Sequence, residues 1–168
     1  GSTTASFTTS CAVATTGFSE NFNGLSSMPS CWEISNGGDA NAWQYRSTWN
    51  LSGGYSFNGA AGLLYGTTAH DDYLYSPEFT VADGLTDGLS FNALSPSSTY
   101  PEPLDISVVS STTGLTTLIY DDYEVGTYET AYHSEFYDLS EFEGENIKIA
   151  FHSTTTDMNI IMLDNFVV

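Results

Sequence analysis

Two carboxylates stand where strand periodicity places apolar side chains. In Phe18-Ser19-Glu20-Asn21-Phe22, successive side chains of an extended chain point to opposite faces, so Glu20 shares a face with both phenylalanines. In the closing run Ile160-Ile161-Met162-Leu163-Asp164-Asn165-Phe166-Val167-Val168, Asp164 shares its face with Ile160, Met162, Phe166 and Val168. Both acids are expected to point inward. A buried carboxylate costs on the order of several kcal/mol unless it is paired, coordinates a metal or takes up a proton. Arg46 and Lys148 are the only Lys or Arg in the chain, so cationic side chains are a scarce remedy. A hard cation bridging the first and last strands satisfies both acids, and Ca²⁺ fits because its ligands are oxygens of carboxylates, amides and backbone carbonyls. Asp71 and Asp72, just before the apolar Tyr73-Leu74-Tyr75 strand, are the natural further suppliers. The alternatives are that backbone N–H groups satisfy these carboxylates without metal, or that bulges turn them outward. No EF-hand loop is present.

Other residue types narrow the chemistry. Nucleophilic catalysis needs Ser or Cys beside a His with an orienting acid, but His70, His133 and His152 are scattered and no Gly-x-Ser-x-Gly elbow occurs. His70, ahead of Asp71-Asp72, reads as a loop histidine near the cation site. The reading is therefore of a non-enzyme. Cys11 and Cys31 lie twenty apart with no CxxC pattern, and in a chain rich in Ser, Thr and Gly they predict an extracellular disulfide. Flat aromatic side chains on loops or a sheet face can stack on sugar C–H faces while Asp and Asn read hydroxyls; Trp43, Trp49, Tyr45, Tyr100 and the Tyr120-Asp121-Asp122-Tyr123 turn are the candidates.

The elements that must position these groups are strands. Period-two runs separated by turn residues occur at 18–22, 73–76, 89–94, 104–110, 115–120, 131–139, 146–152 and 159–168. Between them lie turn clusters such as Asn36-Gly37-Gly38-Asp39, Ser52-Gly53-Gly54, Asp83-Gly84 and Ser95-Pro96-Ser97-Ser98. The 139–144 stretch reads as a turn or one short helical turn. The pattern predicts an all-β chain of two packed antiparallel sheets. At 168 residues, with no internal repeat and no dividing linker, it is one domain.

The balance of 21 Asp+Glu against 2 Lys+Arg, a formal net charge of −19, sets the partners. Phosphate recognition rests on Lys and Arg, so nucleic acid is a poor partner, and anionic membranes and polyanionic polysaccharides are repelled. Neutral glycans, protein surfaces and divalent cations remain. No run of roughly 18–20 apolar residues long enough to span a bilayer is present, and no basic segment with an apolar core opens the chain. Gly1-Ser2 reads as a cloning remnant, and the chain as a domain taken from a longer secreted protein.

Phe18-Ser-Glu-Asn-Phe22, Pro29-Ser-Cys-Trp32, Asp72-Tyr-Leu-Tyr-Ser-Pro77, Asp138-Leu-Ser-Glu-Phe-Glu-Gly144 leading to Ile147-Lys-Ile-Ala-Phe151, and Leu163-Asp-Asn-Phe-Val167 occur in this order. Together they resemble the choice-of-anchor J and cleaved-adhesin domains, relatives of the MAM domain found in secreted bacterial proteins. The resemblance spans about residues 18–168, leaving 1–17 as an N-terminal arm tied by the disulfide. It implies a jelly-roll β-sandwich, commonly with structural calcium, attached to proteases, glycan-degrading enzymes or surface adhesins. Its acidic positions fall on Glu20, Asp72 and Asp164, and it implies core roles for Trp32 and Trp43. Where relatives often carry Trp before the Leu-x-Ser-Pro motif, this chain has Tyr73. The function it implies is a non-catalytic, calcium-stabilised accessory module binding a neutral carbohydrate, or else a protein adhesion or spacer domain.

Overall fold

The computed structural model describes residues 11–37, 39–47, 58–95, 97, 99–100, 102–124, 133–156 and 159–168, with backbone alone at 122–124 and 133–135. Its strands, in chain order, are β1 (Ser19–Glu20), β2 (Glu33–Ser35), β3 (Gln44–Arg46), β4 (Ala60–Leu64), β5 (Asp72–Tyr75), β6 (Phe79–Thr80), β7 (Gly88–Leu94), β8 (Pro103–Ser110), β9 (Thr116–Glu124), β10 (His133–Asp138), β11 (Asn146–Ser153) and β12 (Ile160–Val167). One short 3₁₀ turn, Ser140–Phe142, sits where the sequence predicts a turn or single helical turn.

The strands form two antiparallel sheets, one ordered β10-β7-β12-β4-β3 with β1 on β12, the other β2-β5-β11-β8-β9 with β6 on β11. This is the predicted jelly-roll β-sandwich. Inner-face side chains of both sheets meet in one core that includes Trp43, Leu63, Leu74, Leu89, Phe91, Ile106, Ile149 and Phe151. A chain of ring contacts runs through it, from Phe22 to Trp32 at 5.2 Å, Trp32 to Phe166 at 5.2 Å, and Phe166 through Phe151 to Phe91. Cys11 and Cys31 form the expected disulfide, beside buried Trp32. The arm is also stitched on by Ala14, whose N–H donates to the Glu78 carbonyl and whose carbonyl accepts from Thr80.

β12 departs from simple alternation. Ile161 and Leu163 face the main core, and so do Phe166 and Val168, which requires an extra residue between them. Asn165 supplies it, at φ 49°, where the pairing of β12 with β7 shifts register. Asparagine visits this left-handed region more readily than most residues, and here its N–H donates to Asp164 Oδ1 at 2.7 Å. Parity therefore places Asp164 with Ile160 and Met162, on the face of a smaller cluster formed with Ala60 and Leu94, not with Phe166. Asp164 is buried, but on the outer side of its sheet.

β2, β3, β4 and β6 lack a sequence counterpart among the expected strands. They are two to five residues long, and Ala60-Ala61-Gly62 carries none of the β-branched or aromatic residues that mark a strand. The expected turn at 120–123 lies inside β9 instead.

Reducing the Cys11–Cys31 disulfide reopens a loop of twenty residues, and urea denaturation is expected to show a loss of about 3 kcal/mol. Asn165→Ala is expected to cost about 1 kcal/mol in the same assay and Asn165→Gly close to nothing, because only the first adds a left-handed penalty.

Candidate functional site

The residues singled out by sequence fall in several separate places. Glu20 is half-buried in β1, and its Oε1 accepts the Phe22 N–H at 2.6 Å. Asp164 lies on the outer side of β12. Asp71 is exposed, and His152 Nε2 lies 3.0 Å from its Oδ1. Asp72 points into the sandwich and is fully buried. The structure does not bring these four carboxylates together.

Asp72 instead meets His70, the loop histidine expected beside it, and Asp39, which was not grouped with it. His70 Nδ1 lies 2.9 Å from Asp72 Oδ2 and 3.5 Å from Asp39 Oδ1. The three side chains are 2%, 0% and 6% exposed for His70, Asp72 and Asp39. Each carboxylate also accepts a backbone N–H: Gly37 N–H donates to Asp72 Oδ1 at 3.2 Å, and Asn41 donates its N–H to Asp39 Oδ1 at 2.8 Å. Burial pushes the Asp72 carboxyl up, against the pull of the Gly37 N–H and His70. Asp39 was passed over because it sits in a Gly-rich turn, which reads as punctuation.

The candidate aromatic residues divide. Trp43 is buried in the core, its Nε1–H donating to the Asp72 carbonyl at 3.3 Å, so it displays no ring to a ligand. Tyr45 is half-buried against the same core. Tyr120 packs edge-on against Tyr137 at 5.9 Å, at the margin of the interior rather than on a turn. Tyr100 is exposed on a loop. Tyr123 lies in β9 with only its backbone described, and Trp49 lies outside the described residues.

An aromatic surface exists elsewhere. In β5, Asp72 and Leu74 turn inward, so Tyr73 and Tyr75 must project from the outer face. Antiparallel register then sets their neighbours. Tyr73 lies opposite His152, which lies opposite Asp105; Tyr75 lies opposite Ala150, then Ser107, then Leu118. The Tyr73 and Tyr75 rings are parallel within 5° at 5.6 Å, and the His152 ring stacks on Tyr73 at 3.8 Å. Ala150 and Ser107 are short, so a groove of about 250 Å³ opens between this ring stack and Leu118, with Asp105, Val109 and Thr116 also on its walls. His152 is fixed by Asp71 at 3.0 Å and has Asp105 at 3.8 Å from Nδ1. Burial, then the Asp71 carboxylate, pushes the Tyr73 hydroxyl up, and burial and Glu33 do the same at Tyr75, so both remain hydrogen-bond donors. The alternation Tyr73-Leu74-Tyr75 carried this signal in the sequence.

No family model and no curated protein sequence matches the chain. Solved structures do. The K1 cleaved adhesin domain of Lys-gingipain from Porphyromonas gingivalis W83 aligns over 90% of this chain and 96% of its own, at 22% identity and a TM-score of 0.62. The fold is that of a cleaved adhesin domain. The CBM22-1 xylan-binding domain of Paenibacillus barcinonensis Xyn10C aligns over 93% of this chain and 95% of its own at 12% identity and TM-score 0.53. TmCBM61, solved in complex with β-1,4-galactotriose, aligns over 88% and 97% at 15% identity and TM-score 0.54. At these identities the likeness is one of fold. Among the described residues no helix is long and apolar enough to cross a membrane.

One further buried acid marks the same end of the sandwich as His70. Glu102 is 1% exposed and accepts Thr155 Oγ1–H at 2.7 Å; burial pushes its carboxyl up, more than that hydroxyl, the Asn159 N–H and His70 pull it down. A carboxyl raised in the folded state binds more protons there than in the unfolded chain. Its contribution to stability therefore falls as pH rises from the ordinary carboxylate range through the raised value. Glu102→Gln keeps a carbonyl for Thr155 without the charge. It is expected to raise the urea midpoint at neutral pH and to lose that advantage in acid; an advantage that grows in acid would contradict the sign.

Proposed function

We propose that this chain is a non-catalytic module of an extracellular protein that binds a neutral glycan chain along the outer face of the β2-β5-β11-β8-β9 sheet. The carrying observation is the groove there. Parallel tyrosine rings give it an apolar wall, while Asp105, Ser107 and His152 offer donors and acceptors to hydroxyl groups. A net charge of −19 favours uncharged polysaccharide over uronates or sulfated chains. The disulfide suits an oxidising compartment. Two of the solved structures with this fold are a xylan-binding domain and a module with bound galactotriose, which supports the reading by analogy of fold.

A second reading, adhesion to a protein, is favoured by the opposite outer face. Phe136 is 71% exposed and Val167 42%, each paired across the ladder with Ser90 between them. Exposed apolar side chains of this kind serve protein contacts.

Affinity electrophoresis through xylan, β-1,4-galactan and a polyuronate distinguishes these readings. The parent protein is expected to be retarded by at least one neutral polymer and not by the polyuronate, and to leave the polymer uncut. Tyr73→Ala combined with Tyr75→Ala is expected to weaken retardation about tenfold or more without lowering the melting temperature appreciably, since both rings lie outside the core. Retardation that survives the double variant, or that Phe136→Ser removes, would contradict this site.

A further inference from the structure

The expected oxygen-only cation site and the geometry disagree, and the disagreement has chemical content. Calcium takes six to eight oxygens, whereas the group that converges here places an imidazole nitrogen between two carboxylates. Imidazole with carboxylate suits zinc and its first-row neighbours. An ion bound tetrahedrally with ligands at roughly 2.0–2.1 Å keeps its donor atoms about 3.3 Å apart. The His70 Nδ1 separations of 2.9 Å to Asp72 and 3.5 Å to Asp39 lie on either side of that value, and all three ligand atoms fall within 4.8 Å of one another. Little movement is needed to close them on an ion.

Supporting structure is already in place. The Gly37 N–H and Asn41 hold the carboxylates, and the His70 backbone N–H is tied to the Thr155 carbonyl at 2.9 Å. Such outer contacts orient metal ligands. Gly66 leaves room for the Asp39 carboxylate, since a Cβ there would stand 1.7 Å from Asp39 Oδ2. Charge points the same way. Asp39, Asp72 and, further off, Glu102 surround one imidazole, while Lys148 is engaged by Glu33 at 2.7 Å on the outer face. Access exists too, because Asp39 also lines a cleft of about 410 Å³ with Asn41, Tyr65, Gly66, Thr67 and Thr68.

We propose that Asp39, His70 and Asp72 form a site for a divalent transition metal of the zinc class, with its remaining position turned toward this cleft. Binding displaces the proton shared between His70 Nδ1 and Asp72, leaving that nitrogen to the metal and the other ring nitrogen protonated. The inference stands apart from the glycan reading: the cluster lies on the inner side of β5 and the groove on its outer side.

The test is a Co²⁺ titration of chelator-treated protein followed by visible absorption, with equilibrium dialysis for stoichiometry and Zn²⁺ and Ca²⁺ as competitors. The expected result is one Co²⁺ per chain with the intense d–d bands of a tetrahedral site, displaced by Zn²⁺ and not by Ca²⁺. Asp39→Asn and His70→Asn are expected to weaken binding on the order of 100-fold. His152→Asn, which removes a surface histidine paired with Asp71, should leave it unchanged. Should His70→Asn fail to fold, the Asp39→Asn result and the parent spectrum decide. Absence of one-to-one binding, bands of a six-coordinate ion, displacement by Ca²⁺, or loss on His152→Asn with retention in Asp39→Asn would each overturn the proposal.

Discussion

The pairing of β5 with β11 is the constraint on which the rest of the molecule depends. Leu74 lies opposite Phe151 and both are fully buried, each contributing about 1.5–3 kcal/mol by leaving water. The same register sets Tyr73 opposite His152 and Tyr75 opposite Ala150 on the other face. A slip of one residue would bury the tyrosines and expose the core, so register is strongly specified. It also fixes Asp72 inward at the head of the strand, where His70 and Asp39 meet it. Groove and cluster are thus two faces of one strand, and neither can be moved without disturbing the core.

Much of this was legible because alternation is a local signal. The strands with long period-two runs, the disulfide and the 3₁₀ turn after Asp138 follow from residue types alone. Asp164 shows where such counting fails. Its parity with Phe166 is broken by Asn165, and a bulge is invisible to periodicity because it is a single residue in an otherwise regular run. The expected meeting of Glu20, Asp71, Asp72 and Asp164 failed for a related reason. Face assignment says which way a side chain points, not which other chain segments approach it. Asp39 illustrates the converse: a turn residue with no periodicity is brought to Asp72 by tertiary packing alone.

Electrostatics shape the molecule differently on its surface and in its interior. With 21 acids and 2 basic residues, most carboxylates must be solvated, and repulsion among them favours neutral partners. The buried acids need individual solutions. Asp164 accepts the N–H of Asn165, Glu102 accepts Thr155, and Asp72 accepts Gly37 and faces His70. Among the described residues, only His70 lies between two carboxylates with buried side chains, those of Asp72 and Asp39, and can also ligate a metal. On the outer face, by contrast, His152 sits between Asp71 and Asp105 in contact with water, where it serves to hold the ring stack.

The account's central claim is that ligand recognition resides on the tyrosine face of the sandwich. The most direct measurement is a ¹H–¹⁵N correlation spectrum recorded as a neutral β-1,4-linked oligosaccharide is added. The account predicts shifts concentrated at Tyr73, Tyr75, Ser107, Ala150 and His152. Shifts centred instead on Phe136, Ser90 and Val167, or none with any neutral oligosaccharide, would contradict it.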